Sequence, residues 1–206
     1  MDYSQYKQLE FRRKFWKIFG ATIHMTDAGG ARELGRIEMK ALRLKSDITL
    51  YADNAQQYPI FNIKARQVIA LNYIFDVFDP QTNQAIFALE RKGLKSAFVR
   101  DHWLLLDTAG NQFGEIIETS SSLAIFRRWL SAISDAIALI FAFVPETYTI
   151  QTTTGQPQLI GSVVHKKNPF IVKMSLDTSQ AQSVVDPRIA IASCALLCIR
   201  DASKNA

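Results

Sequence analysis

At 206 residues and 48% hydrophobic content, the chain is long and apolar enough to bury a full core within one domain. Lys and Arg number 24 against 19 Asp and Glu, a net +5 that leans toward anionic partners and does not choose between phospholipid and nucleic acid. Only Cys194 and Cys198 are present, four apart on one helical face, which excludes a disulfide framework and leaves them as small buried hydrophobes.

Residues 1–15 read as an N-terminal extension and 16–206 as a single domain. The basic-aromatic run Phe11 to Lys17 is not followed by a long apolar region and a cleavage site, so a cytoplasmic protein, at most peripheral to a membrane, is expected. From Trp16 to Asp177 one phrase recurs, in which a turn rich in Asp, Asn and Gly separates two apolar or aromatic runs. It appears at Asp27 to Ile37, Asp79 to Leu89 and Asp107 to Ile116, and more weakly at Thr153 to Val163. Ile60 to Arg66 and Asn72 to Phe78 add β-branched and aromatic runs between these hairpins. The spacing predicts a meander of about a dozen short antiparallel strands.

One interruption is helical. Over 122–144, Phe126, Trp129, Leu130, Ile133, Ile137, Ile140, Phe141 and Val144 share one helical face, with Arg128 and Asp135 opposite. Three placements are open to this helix: capping the barrel, packing on its outer wall, or lying in a membrane interface.

The last element is the most informative. Asp186 suits an N-cap and Pro187 the first helical position, and Ile189 to Ile199 contain a single polar residue, Ser193. A helix apolar on every side needs an apolar sheath, and eleven residues rise only about 17 Å, short of a bilayer's hydrocarbon core. A closed sheet lacks edges and has an interior to fill. The expected fold is therefore a closed antiparallel β-barrel around a buried C-terminal helix, with one further helix near 122–144.

No reaction chemistry stands out. His24, His102 and His165 fall on different predicted strands without ligand spacing, and no nucleophile elbow, phosphate loop or dinucleotide fingerprint occurs. A non-catalytic protein without cofactor or metal is expected. The basic residues carry the one positive signal: Arg36, Lys40, Arg43 and Lys45; Arg91, Lys92 and Lys95; Arg127 and Arg128; Lys166 and Lys167. Three of these groups follow the repeated hairpin, so closure would gather several at one end or on one wall, a rim suited to phosphate oxygens. The alternative is a structural or scaffolding protein whose 122–144 helix binds a protein partner. A third alternative, an enzyme with a site assembled from strand residues, requires a deep polar pocket that a helix-filled barrel does not favour. Nucleic acid ranks low because the aromatics alternate as core positions do and form no stacking platform.

Gly35 to Lys40, Asp47 to Asp53, Ile63 to Arg66, Arg91 to Gly93, Asp101 to Trp103 and Asp186 to Arg188 with the apolar tail resemble the LURP-one-related and phospholipid-scramblase-like group. That group belongs to the Tubby C-terminal-like superfamily, and the resemblance runs from about Trp16 to Arg200. It implies a closed antiparallel barrel, commonly of twelve strands, around a buried C-terminal helix. For function the resemblance implies less: Tubby domains bind phosphoinositides through basic surface residues, scramblases are associated with lipid movement and calcium, and many LURP-one-like members have no assigned activity. Asp177 to Asp186 lacks the alternating acidic ligands of a calcium loop, and no Cys-rich palmitoylation segment is present, so calcium-driven scrambling is not expected.

Overall fold

Along most of the chain apolar side chains recur every second residue, and the computed structural model turns that period into a closed wall. Described are residues 3–14, 21–39, 48–53, 55–69, 72–91, 101–119, 145–166, 171–182 and 185–204. They form twelve strands: β1 (Gln8–Lys14), β2 (Ala21–Asp27), β3 (Glu33–Met39), β4 (Ile48–Tyr51), β5 (Pro59–Ile69), β6 (Asn72–Phe78), β7 (Ala85–Arg91), β8 (His102–Leu106), β9 (Gln112–Glu118), β10 (Glu146–Thr152), β11 (Leu159–Lys166) and β12 (Ile171–Asp177). One helix follows, α1 (Pro187–Lys204). Each strand pairs antiparallel with its neighbour in sequence. β1 then pairs with β12, from Gln8 opposite Asp177 to Lys14 opposite Ile171, so the barrel has no free edge.

β1 departs from the sequence expectation. Residues 8–14 close the barrel and do not belong to an extension ahead of it. Leu9 and Phe11 point inward with the expected period, but the third inward position is Arg13, 3% exposed, and this hides the strand among basic residues.

The antiparallel order gives the barrel two unlike ends. At the turn end, short connections join β2 to β3, β4 to β5, β6 to β7, β8 to β9 and β10 to β11. Asp27, Asp53, Asp79 and Asp107 each accept backbone N–H groups of their own turn, for example Ala31 N at 2.9 Å and Asn111 N at 2.8 Å, and Thr152 Oγ1 accepts Gln158 N at 2.9 Å. One residue in each of the five turns takes a left-handed conformation: Gly30, Gln56, Asn83, Gly110 and Gly155. The register also shifts beside each turn, at Met25/Thr26, Leu50/Tyr51, Val77/Phe78, Leu105/Leu106 and Ile150/Gln151. Such bulges raise the local twist that closure requires. Gly35 of β3 and Gly114 of β9, each two residues before an inward isoleucine, are required sterically. A Cβ at Gly35 would lie 2.8 Å from Tyr51 O, and one at Gly114 would lie 2.8 Å from Gln151 O.

Inside, Ile23, Met25, Ile37, Leu50, Phe61, Ile63, Phe75, Leu89, Trp103, Leu105, Ile116, Ile150 and Val163 form one cluster with Ile189 to Ile199 of α1. The helix starts at the turn end, where Arg188 Nη1 donates to Asp79 Oδ2 at 2.8 Å, and reaches the opposite end, where Arg200 pairs with Asp101. It lies nearest β12, with β1 and β11 beside it. Every residue from Ile189 to Arg200 is buried. Ser193 satisfies its hydroxyl on Ile189 O at 2.7 Å, and Asp186 caps the helix by accepting Arg188 N at 2.9 Å. Cys194 and Cys198 are free and buried, and burial pushes both thiols up. The expected helix over 122–144 lies outside the described residues.

The outer wall carries paired charges. Glu10 Oε1 accepts Lys173 Nζ at 2.8 Å and its Oε2 accepts Arg12 Nη2 at 2.6 Å, tying β1 to β12 on the outer face. Burial raises the Glu10 carboxyl, and the hydrogen bonds from Lys173 and Arg12 outweigh it, so the net shift is downward. Arg66 Nε donates to Asp76 Oδ2 at 2.7 Å across β5 and β6. An apolar exception on this wall is the small buried cluster of Ala88, Leu104 and Leu106, with Ile74 against it. No helix among the described residues is long and apolar enough to cross a membrane.

Candidate functional site

Three of the basic residues read as phosphate ligands are described, and they occupy three different settings. Arg36 is on the outer face of β3 and pairs with Glu38, two residues along the same strand. Arg91 ends β7 at the far end with an inward position, its side chain 15% exposed, and donates through Nε to Asp101 Oδ1 at 3.2 Å. Lys166 ends β11 at that same end and is exposed. Strand parity decides this: an outward arginine meets a neighbour's carboxylate, an inward one meets the core, and Lys166 meets solvent. Lys40, Arg43, Lys45, Lys92, Lys95, Arg127, Arg128 and Lys167 lie outside the described residues.

A buried charge layer at the far end is absent from the sequence reading. The inward period that places Phe11, Ile116, Tyr148 and Val163 in the core places Arg13, Glu118, Glu146 and His165 next to them, all 8% exposed or less. Asp101, 1% exposed, is the hub: it pairs with Arg200 of α1 and with Arg91, and Oδ2 accepts Trp103 Nε1 at 3.1 Å. Its backbone N–H donates to Glu118 Oε2 at 3.3 Å, and its carbonyl accepts Glu118 N at 3.1 Å. Tyr148 OH donates to Glu146 Oε2 at 3.1 Å, and burial, then the Glu146 charge, pushes its phenol up. His165 sits between Glu146, at 3.6 Å from Nδ1, and Asp201, at 3.3 Å from Nε2. Opposite charges this deep are tolerable only when paired, so the layer fixes where α1 ends against the wall. The signal was the alternation itself, continued by charged residues at the ends of β1, β9, β10 and β11.

The histidines do not converge. His24 Nδ1 lies 2.7 Å from Glu33 Oε1 on the outer wall, His102 Nε2 lies 3.0 Å from Glu115 Oε2, and His165 belongs to the buried layer. Among the described residues no group of His, Cys, Asp or Glu is placed to hold a metal ion.

Two clefts open at the turn end on either side of the start of α1. The smaller and more apolar, of about 260 Å³, runs between the N-terminal segment and the helix, over Tyr3, Tyr6, Leu9, Ile160, Leu176, Val185, Ala190 and Ile191, with Ser4, Lys7, Thr178, Ala181 and Asp186 also lining it. Tyr3 pins that segment by donating to Leu34 O at 3.0 Å, and burial raises its phenol. The larger, of about 550 Å³, lies beside Tyr58, Pro59, Pro80, Asp79 and Arg188, and Tyr58 is 67% exposed. Arg188 divides its guanidinium between Asp79 and Asp186.

Comparison with protein-family models, with curated proteins and with solved structures finds no match to this chain.

Proposed function

We propose that this chain is a non-catalytic interaction module of the Tubby-like, scramblase-like kind that binds anionic phospholipid headgroups at the far end of the barrel. The strand order is the observation that supports this most. Segments 15–20, 40–47, 92–100, 120–144 and 167–170 each connect strands whose described ends lie at that end. In sequence these segments hold Lys17, Lys40, Arg43, Lys45, Lys92, Lys95, Arg100, Arg127, Arg128 and Lys167 against Asp47 and Asp135 alone. They also hold Trp16, Phe98, Trp129 and Phe170, and basic residues interspersed with large aromatics suit the interface of an anionic membrane. Arg36 and Arg91 leave the ligand set, since each is engaged by a carboxylate of its own wall or core.

Co-sedimentation with neutral and with anionic vesicles across a salt series tests this. Binding to anionic vesicles alone, fading as salt rises, is expected, and the double variant Lys92→Glu, Lys95→Glu should weaken it by about fivefold or more per charge. Binding that ignores both vesicle charge and salt, or no binding, overturns the headgroup reading. A second reading, a scaffold for a protein partner, is favoured by Tyr58, whose ring is exposed beside the larger cleft.

A further inference from the structure

The smaller cleft at the turn end lies on the opposite side of the molecule from the proposed headgroup surface, and its chemistry is different. Its floor consists of Leu9, Ile160, Leu176, Ala190 and Ile191, each 2% exposed or less, so a space of about 260 Å³ abuts core side chains that water hardly reaches. The cleft opens to solvent on one side, and filling the space against such a floor with an apolar group would gain dispersion contacts that water does not supply. A cavity of roughly 150 Å³ holds a six-carbon ring, and scaling by volume gives about ten carbons for the space here.

The mouth decides the other end of the ligand. Two charged side chains border it, Lys7 and Asp186. Asp186 is committed, since Oδ1 accepts the Arg188 backbone N–H at 2.9 Å and Oδ2 the guanidinium at 2.7 Å. Lys7 is exposed, and no carboxylate among the described residues forms an ion pair with its ammonium. Its backbone carbonyl accepts Thr178 N at 2.8 Å. An apolar floor and a cation at the lip that forms no ion pair among the described residues suit a single type of guest.

We infer that this cleft is a binding site for a free monocarboxylate amphiphile with a chain of about ten carbons, the tail lying along Tyr6, Val185 and Pro187 above the Leu9 and Ile191 floor and the carboxylate beside Lys7. The site is independent of the phospholipid reading. A bilayer lipid meets the protein as a surface, whereas this cleft admits one chain at a time.

Sodium decanoate and 1-decanol, titrated below their aggregation limits into protein labelled at isoleucine methyl groups, separate tail from head. Saturable shifts of the Ile160 and Ile191 signals, with Ile63 unmoved, are expected for both, and roughly threefold tighter binding for decanoate. Lys7→Gln should bring decanoate to the level of decanol and leave decanol unchanged. Ala181→Trp, at an exposed position on the lip, should abolish both while the melting temperature holds. Absence of shifts at Ile160 and Ile191 in the wild type overturns the site. Equal binding of the two probes, insensitive to Lys7→Gln, overturns the assignment of the head, and full binding to Ala181→Trp shows that the probes partition elsewhere.

Discussion

At the turn end, each of the five strand-to-strand turns is short, its Asp or Thr side chain accepts the turn's own N–H groups, and one residue in a left-handed conformation completes the reversal. At the far end, the same strands finish with Arg13, Glu118, Glu146 and His165 facing inward, and their partners come from distant parts of the chain, such as Asp101 and Asp201. The first end is fixed by chemistry within a handful of residues. The second is fixed by ion pairs across a long stretch of chain, between wall and helix. In this chain the connecting segments of the far end hold ten of the 24 Lys and Arg in sequence against two Asp, and of the candidate ligands the turn end carries the cleft's Lys7.

Breaking the shared core should erase both ends at once. Ile191, 2% exposed, faces the barrel interior from α1, and Ile191→Asp would strand a charge there. No cooperative melting transition is expected by calorimetry, and a wild-type melting temperature would mean that the helix is not sheathed. Next in size is the far end. Arg200→Met leaves Asp101 buried without its helix partner, and a loss of about 3–5 kcal/mol in urea unfolding is expected. The double change Arg200→Met, Asp101→Asn should recover part of that loss, because the stranded charge is gone.

The turn end should respond more locally. Gly114→Ala puts a Cβ 2.8 Å from Gln151 O in the neighbouring strand, and a loss of about 1–3 kcal/mol is expected from the same unfolding curves. The smallest effect is the response to acid. Asp79, Asp107 and Asp177 are held below the ordinary 3.8, chiefly by hydrogen bonds from Arg188, from the Asn111 N–H and from Ser179. A carboxylate with a lower folded than unfolded pKa binds fewer protons when folded. Its contribution is therefore full above the unfolded value and is lost as pH falls through the folded one. The melting temperature should decline as pH drops below about 4, and Asp79→Asn should flatten that decline.

The barrel and its helix were legible because the two patterns are strong and depend on each other. Recurring Asp- and Gly-centred turns give closed-sheet hairpins, and Pro187 to Ile199 give a helix that nothing but such a sheet could surround. β1 was not legible, because Leu9 and Phe11 are its only inward apolar residues and Arg13 completes the alternation. The buried layer escaped for a related reason: Glu118 and His165 resemble surface residues until period two is carried to the last position of each strand. The fate of Arg36 and Arg91 was beyond sequence reasoning, since Glu38 and Asp101 become partners only through strand parity and closure. The clefts beside α1 were equally hidden, because they depend on how Tyr3 pins the N-terminal segment across Leu34.

Hydrogen exchange of the protein bound to anionic vesicles tests most directly whether the two ends do different work. Added protection is expected across 40–47, 92–100 and 167–170, with the turns at 28–32, 107–111 and 153–158 exchanging as they do in free protein. Protection at those turns with none at the far end would contradict the account and would move the membrane-facing surface to the opposite end of the barrel.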